Sequence, residues 1–282
     1  MQVDVVSRLG ALSAPTTTGF RTLDSLLVGG LRTGVLVSIS GGPGVGKTAF
    51  ALLAAYMAAR SKAAVLFTSA SLDTTEVLAR LGARALFREY PDAETSYGDI
   101  WSGEALQDPV LHGPVRTSVD TAVQKVGDRL HLHAAKPFES SARLEALVSQ
   151  LWARYDRVVL VVDGLEAYSS QVSRDTTRAA AANSGLENRV AMTSFALRDL
   201  ADHGCAVLTT CDSTSAPMAQ MGATLAAELR RRPGVDDPKL GARERSQGGH
   251  RIDLVVTKNR IGPHGAVPLI FVPGASIFEE AT

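Results

Sequence analysis

One run of eight residues carries the strongest chemical signal in the sequence. It reads Gly41-Gly42-Pro43-Gly44-Val45-Gly46-Lys47-Thr48 and fits the pattern G-x-x-x-x-G-K-[ST]. Glycines at this spacing let backbone N–H groups turn inward around phosphate oxygens, and a following helix points its positive end at the same anions. Lys47 is placed to reach β- and γ-phosphates, and the Thr48 hydroxyl is a ligand for Mg²⁺. The run therefore predicts a phosphate-binding loop that holds ATP with Mg²⁺.

A second candidate residue, Asp163, ends the apolar stretch Val158–Asp163. A carboxylate at the end of a buried strand meets a phosphate-bound Mg²⁺ through the water shell of the ion. Taken alone, an aspartate at a strand end is usually a turn residue or a helix cap. Because a phosphate loop precedes it, we predict that Thr48 and Asp163 hold the metal and that Lys47 and Asp163 are catalytic.

Short apolar runs that alternate with longer helical patterns must position these residues. The runs predict strands at Val35–Ser40, Ala63–Ser69, Leu130–His133, Val158–Asp163, Ala206–Thr210, Ile252–Thr257 and Ala266–Val272, and the helical patterns lie at 47–60, 74–86, 140–154 and 185–203. Most of the runs are apolar nearly throughout, as in strands that are covered on both faces. The order predicts an α/β fold with a mostly parallel central sheet, right-handed crossovers and helices on both faces.

Two segments interrupt this alternation, at residues 168–188 and 229–251. Residues 168–188 have no apolar periodicity, and residues 229–251 hold seven basic and three acidic residues with several glycines and prolines, so we predict long loops there. Loops that follow strand ends build the ligand crevice of open α/β sheets, whereas an ordinary surface loop is the alternative for both.

The composition excludes several classes of protein. The chain has 282 residues, 45% of them hydrophobic, with 29 basic and 29 acidic side chains and no net charge. It can bury a core, is not intrinsically disordered and gives no support to non-specific coating of nucleic acid. No apolar run approaches the ~20 residues that span a bilayer, and residues 1–14 show no secretory signal. Cys205 and Cys211 lie too far apart along one predicted strand to pair. We therefore expect a cytoplasmic protein without a membrane partner.

Three further motifs resemble those of a known family. Thr18-Gly19-Phe20 with Leu23-Asp24 is similar to T-G-F-x-x-L-D, Asp163-Gly164-Leu165-Glu166 stands in the place of D-Y-L-Q, and Lys258-Asn259-Arg260-Ile261-Gly262-Pro263-His264-Gly265 closely matches K-x-R-x-G-P-x-G. These are motifs of the C-terminal RecA-fold motor domain of DnaB-type replicative helicases. The resemblance extends from about residue 15 to the end of the chain.

The resemblance implies a RecA-like P-loop NTPase whose single ATPase domain occupies residues 15–282. A short N-terminal segment, residues 1–14, stands where the family has a helical domain. Lys258 and Arg260 would reach the γ-phosphate bound by a neighbouring copy, which requires a homo-oligomer, either a hexameric ring or a filament. Residues that alternate along a strand share a face, which agrees with a joint role for these two cations. Single-stranded DNA would pass through a central channel lined by residues 168–188 and 214–251.

The chain departs from the family at the residue expected to activate water. Ser71 stands where the family has a catalytic glutamate, and a hydroxyl is no general base at neutral pH. Asp73, Glu76 and Glu166 are the candidate replacements.

Three other family features are missing. Thr210-Cys211-Asp212-Ser213 replaces a nucleotide-sensing glutamine, and Asp212 is a poor neighbour for phosphate unless a metal lies between them. Thr214–Ala223 does not resemble the family's DNA-contacting loop. Ile277 replaces an arginine close to the end of the chain.

Two functions follow from these observations. One is an ATP-driven motor on single-stranded DNA. The other is a hydrolysis-impaired scaffold or switch that assembles through ATP at subunit boundaries. P-loop families of the recombinase and circadian-clock type share the fold, but Lys258–Gly265 favours the helicase branch. A small-molecule kinase is disfavoured because nothing resembles a lid or a second substrate pocket.

Overall fold

The computed structural model describes residues 14–135, 141–172, 185–232 and 240–281. These residues form one nine-stranded sheet in the order β3-β2-β4-β5-β1-β6-β7-β8-β9. The strands are β1 Leu36–Gly41, β2 Ala64–Ser69, β3 Leu130–Ala134, β4 Val158–Asp163, β5 Ala206–Asp212, β6 Leu225–Arg231, β7 His250–Asn259, β8 Ala266–Val272 and β9 Ile277–Glu280. The first six in spatial order are parallel, and β7, β8 and β9 extend the sheet by antiparallel pairing. The prediction of an α/β fold with a mostly parallel sheet is confirmed.

Helices cover both faces of this sheet. They are α1 Arg21–Leu26, α2 Lys47–Arg60, α3 Thr74–Glu89, α4 Tyr97–Ser102, α5 Glu104–Gln107, α6 His112–Val126, α7 Ser141–Trp152, α8 Leu165–Val172, α9 Leu186–Asp202, α10 Ala216–Ala219 and α11 Ala242–Ser246. Apolar residues of α2, α3 and α6 form one large core with the sheet, and those of α7, α8 and α9 form another. Every residue of β1, β2 and β4 is buried, which explains their continuous apolar sequences.

The segment Thr18–Asp24 is held together by hydrogen bonds to one carboxylate. The Asp24 carboxylate accepts hydrogen bonds from the Thr18 amide (2.8 Å) and hydroxyl (2.7 Å) and from the Thr17 hydroxyl. The Phe20 ring then stacks on Phe50 of α2, with ring centroids 4.6 Å apart. Burial raises the pKa of Asp24 despite these hydrogen bonds. The motif thus fixes the helix that follows the phosphate loop.

Two strands and a helical region are not predicted by the sequence patterns. β6 and β9 flank or extend the antiparallel part of the sheet, and α4, α5 and α6 form a helical excursion between α3 and β3. The prediction of a loop at 229–251 is wrong at three places: residues 229–231 continue β6, α11 lies within the segment, and β7 begins at His250.

The loop predicted at 168–188 is also too long. α8 continues to Val172 and α9 begins at Leu186, while residues 173–184 lie outside the described residues. The expectation that 214–251 lines a channel fails for β6, because Leu225 and Leu229 are buried beside β1.

Cys205 and Cys211 are free and buried. Among the described residues, no helix combines the length and apolarity needed to span a bilayer.

Candidate nucleotide-binding site

The predicted phosphate loop joins the carboxyl end of β1 to the amino end of α2 at the centre of the sheet. Gly44 and Gly46 have φ angles of 73° and 91°, which only glycine adopts without strain. Pro43 and Gly44 form the exposed tip of the loop, and a Cβ on Gly42 or Gly44 would meet no atom within 4 Å. The loop is therefore open to solvent around Gly42 and Gly44.

The other side of the loop is closely packed. A Cβ on Gly41 would lie 2.7 Å from Cγ2 of Val45, and one on Gly46 would lie 2.7 Å from the ring of Phe271. Phe271 thus packs against the loop at Gly46, as part of an aromatic cluster with Phe20, Phe50 and Phe278.

The Lys47 ammonium lies inside the loop. Its Nζ donates to the carbonyl oxygens of Gly41 (2.8 Å) and Gly42 (3.1 Å), and it pairs with Oδ1 of Asp212 at 2.8 Å. The side chain of Lys47 is 17% exposed and that of Asp212 is 55% exposed. This carboxylate ends β5, and the sequence does not predict its contact with the lysine.

Thr48 and Asp163 face each other at the ends of α2 and β4. The Thr48 hydroxyl donates to the Asp163 carboxylate, with Oγ1 lying 3.2 Å from Oδ1 and 3.0 Å from Oδ2. Thr210 and Ser69, from the two strands beside β4, donate to the same carboxylate at 2.8 Å and 3.3 Å. The signal that could have found them is a hydroxyl residue at the end of each neighbouring parallel strand.

Asp163 is 3% exposed, and burial raises its pKa although three hydroxyl groups partly offset the effect. A buried carboxylate with neutral donors is suited to a cation, so the residues present fit Mg²⁺. The described residues contain no group of three or more His, Cys, Asp or Glu that could hold a metal alone. Nucleotide oxygens and water would have to complete the coordination shell.

Ser71 stands close to this group. Its Oγ is 3.2 Å from Oγ of Ser69, and its backbone N–H donates to the same atom. Two of the three candidate replacements for the missing glutamate are engaged in α3: Asp73 caps its amino end, and Glu76 pairs with Arg80 at 2.7 Å.

The third candidate, Glu166, accepts the backbone N–H of Asp212 at 2.7 Å. Of the three, Glu166 is therefore the one linked to the residue beside Lys47.

Lys258 and Arg260 lie at the amino ends of the parallel strands, whereas the phosphate loop lies at their carboxyl ends. Strand β7 runs antiparallel, so its end at Asn259 pairs with Leu225, which pairs with Val37 near the start of β1. From Val37 to Gly41 the strand rises about 13 Å. The structure therefore does not bring these two cations together with the loop of the same chain.

A β-bulge in β7 changes the face of the sheet on which the Lys258 side chain lies. The register places Val256 opposite Ala227 but Lys258 opposite Ala226, so Thr257 is the extra residue. Lys258 consequently faces the side of the sheet where α9 packs, and its Nζ donates to the carbonyl oxygen of Gln220 at 2.5 Å.

Arg260 lies one residue beyond the strand, and its N–H donates to the Thr224 carbonyl oxygen. Burial lowers the pKa of Lys258, and the positive charges of Arg260 and Arg198 lower it further. No sequence pattern indicates a role for Arg198. It donates to the Thr224 hydroxyl at 2.8 Å, so three cations share this edge.

Comparison with known proteins gives four results. Residues 16–98 match the family model of the DnaB-like helicase C-terminal domain. A solved DnaB-like replicative helicase, described with its interactions with primase, superposes with a TM-score of 0.72 at 17% identity, covering 97% of this chain and 66% of that chain. The predicted resemblance to DnaB-type helicases is confirmed. A second solved structure, described as an ATPase domain, superposes with a TM-score of 0.71 at 17% identity, covering 99% of this chain and 96% of that domain. No curated protein matches the chain.

These comparisons identify a RecA-like, DnaB-like fold. The matched residues 16–98 contain the phosphate loop and Ser71, whereas Asp163, Lys258 and Arg260 lie beyond them. The chain spans about two thirds of the length of the DnaB-like helicase that it resembles.

Proposed function

We propose that this chain is an ATP-dependent motor of the DnaB helicase type that assembles as a ring or filament on single-stranded DNA in the cytoplasm. Residues 15–282 form one motor domain, and residues 1–14 a short segment before it. The loop Gly41–Lys47 binds the phosphates of ATP, and Thr48 and Asp163 hold Mg²⁺. Lys258 and Arg260 complete the site of an adjoining copy.

The observation that carries this proposal is the separation of the two halves of the site. The loop lies at the carboxyl ends of the parallel strands, and Lys258 and Arg260 lie at their amino ends. Transfer of the γ-phosphoryl group to water develops negative charge that cations stabilise, and arginine presents a planar fork to phosphate oxygens. If the surface that carries Lys258 and Arg260 packs against the phosphate loop of the next copy, it supplies the cations that the loop lacks within a single chain.

The residues of the loop have separable tasks in this scheme. Backbone N–H groups of Gly44 to Lys47 bind phosphate oxygens, while Lys47 carries the balancing charge. Mg²⁺ supplies charge that polarises the phosphate when it is bound. Ser69 and Thr210 orient the Asp163 carboxylate toward Thr48 through their hydroxyl groups.

Steady-state ATP hydrolysis with and without oligo(dT) tests this proposal. We expect DNA to raise the turnover of the wild type, and binding of the oligonucleotide to weaken steeply with salt. Lys47→Ala should abolish turnover, whereas Lys125→Ala, which removes an exposed lysine on α6, should leave it unchanged. Turnover that does not respond to DNA at any concentration would contradict the motor function.

Ser71 supports a second candidate, a scaffold or switch that binds ATP at subunit boundaries and hydrolyses it slowly. The hydroxyl of Ser71 is hydrogen bonded to Ser69, and Asp73 and Glu76 are engaged elsewhere. On this account ATP drives assembly, and Ser71→Glu restores rapid hydrolysis while Ser71→Ala does not. Wild-type turnover of roughly 1–100 s⁻¹, ordinary for phosphoryl transfer, would refute the scaffold.

A further inference from the structure

The carboxylate of Asp212 occupies an unusual place, against the lysine of the phosphate loop. Asp212 ends β5, and the sheet register pairs its Cα with that of Gly41, where the loop begins. Its backbone N–H is held by Glu166 at 2.7 Å. The position of Asp212 is thus set by the sheet and by α8, and not by an independent surface loop.

Its partner Lys47 has the Gly41 and Gly42 carbonyl oxygens and the Asp212 carboxylate as acceptors. The carbonyl oxygens are neutral, so Asp212 alone among the three balances the charge of the ammonium. The lysine side chain is 17% exposed and that of Asp212 is 55% exposed, so solvent screens the pair from the side of the carboxylate only.

We propose that Asp212 is a specificity-determining residue of the nucleotide site, which holds Lys47 as a counter-anion and thereby disfavours triphosphates relative to diphosphates. The inference rests on the proposed role of Lys47 in nucleotide binding. A lysine in this loop serves β- and γ-phosphates. A γ-phosphate therefore competes with Asp212 for Nζ and is repelled by its charge at short range. A diphosphate has no γ-phosphate to compete for Nζ, so the ion pair between Lys47 and Asp212 persists when a diphosphate is bound.

Removal of this charge without loss of shape is the direct test. Asp212→Asn should lower the dissociation constant for the Mg²⁺ complex of β,γ-imido-ATP about tenfold and that for ADP by about twofold or less. The matched control is Glu89→Gln, which changes net charge equally and breaks the pair of Glu89 with Lys125 (2.6 Å), an exposed lysine–carboxylate pair on α3 and α6. The control should leave both dissociation constants unchanged.

Isothermal titration of the full chain with each nucleotide measures these constants, and thermal unfolding of each variant checks its folding. Equal tightening of both nucleotides by Asp212→Asn, no change, or weaker binding of β,γ-imido-ATP would overturn the inference. An unchanged dissociation constant with a lower rate of hydrolysis would assign Asp212 to catalysis instead, and would also overturn it.

The failure of the inference is distinguishable from that of the proposed function. If the wild type binds nucleotide and Lys47→Ala does not, while Asp212→Asn shows no preference, only the inference fails. If neither the wild type nor Asp212→Asn binds either nucleotide, both fail.

Discussion

Replacement of Gly46 by alanine tests two requirements of the phosphate loop, a left-handed backbone and close packing against aromatic rings. Gly46 has a φ angle of 91°, and an alanine Cβ there would lie 2.7 Å from two ring carbons of Phe271 and 2.9 Å from Cζ of Phe278. Gly44 is the matched control, because its φ angle is 73° but its Cβ would meet no atom within 4 Å.

The two substitutions share one cost and differ in another. A left-handed backbone costs alanine about 1–2 kcal/mol at either position. Overpacking adds about 1–3 kcal/mol at Gly46 alone, because the rings of Phe271 and Phe278 are buried there and stack on each other at a centroid distance of 4.3 Å. Loss of unfolded-state entropy offsets both substitutions alike, by about 0.4–1 kcal/mol.

Gly46→Ala should therefore lower the free energy of unfolding by about 1–3 kcal/mol more than Gly44→Ala. Urea denaturation followed by far-ultraviolet circular dichroism measures both values. Equal losses for the two variants would refute the packing of the aromatic cluster against the loop.

Three further predictions concern Asp163, the two cysteines and Arg243. Burial raises the pKa of Asp163, so the folded protein favours the protonated carboxyl. The stability that the protonated carboxyl contributes is present below the ordinary aspartate pKa and is lost as pH rises from that range to the native pKa. Asp163→Asn should remove that pH dependence. Without ligand, the unfolding temperature of the variant should equal or exceed that of the wild type, and a lower value would contradict this. The variant should no longer be stabilised by Mg²⁺ with ATP. Burial raises the pKa of Cys205 and Cys211 to about 12, so a disulfide reagent at pH 8 should modify neither thiol in the native protein and both after denaturation; native modification on a time scale of seconds would be inconsistent with their burial. Arg243 donates to the carbonyl oxygens of Phe87, Tyr90 and Ala93, so Arg243→Ala should cost about 1–3 kcal/mol of stability in urea denaturation, and no loss would exclude this tether.

The parts of the fold that follow from local sequence were predictable. The strand before the phosphate loop, the helix after it and the apolar strand ending at Asp163 each lie within a residue of their predicted bounds. Their sequences satisfy the demands of burial on both faces and of helix periodicity at the same time. Consistency between those demands is what makes such elements predictable.

The missed elements depend on partners that are distant in the chain. Leu225–Arg231 reads L-A-A-E-L-R-R, which is rich in helix formers, yet it is a strand because β1 and β7 pair with it on both sides. The β9 segment Ile277–Glu280 is too short to show a period, and its pairing with β8 alone makes it a strand.

Three features of the site were likewise hidden from the sequence. The contact between Lys47 and Asp212 requires β5 to lie beside β1, and sequence order does not reveal spatial order. The location of Lys258 and Arg260 requires β7 to run antiparallel, with a bulge at Thr257. The hydroxyl residues around Asp163 belong to three different elements, so no local motif contains them.

The central claim is that each nucleotide site takes its loop from one copy and its cations from another. Mixing equal amounts of Lys47→Ala chains and Arg260→Ala chains tests it most directly, by steady-state ATP hydrolysis at a fixed total concentration. Each variant alone should be inactive, whereas random co-assembly pairs an intact loop with an intact Arg260 at about one quarter of the boundaries. We predict recovery of about one quarter of wild-type turnover after mixing. A mixture no more active than the sum of its two components would contradict the claim.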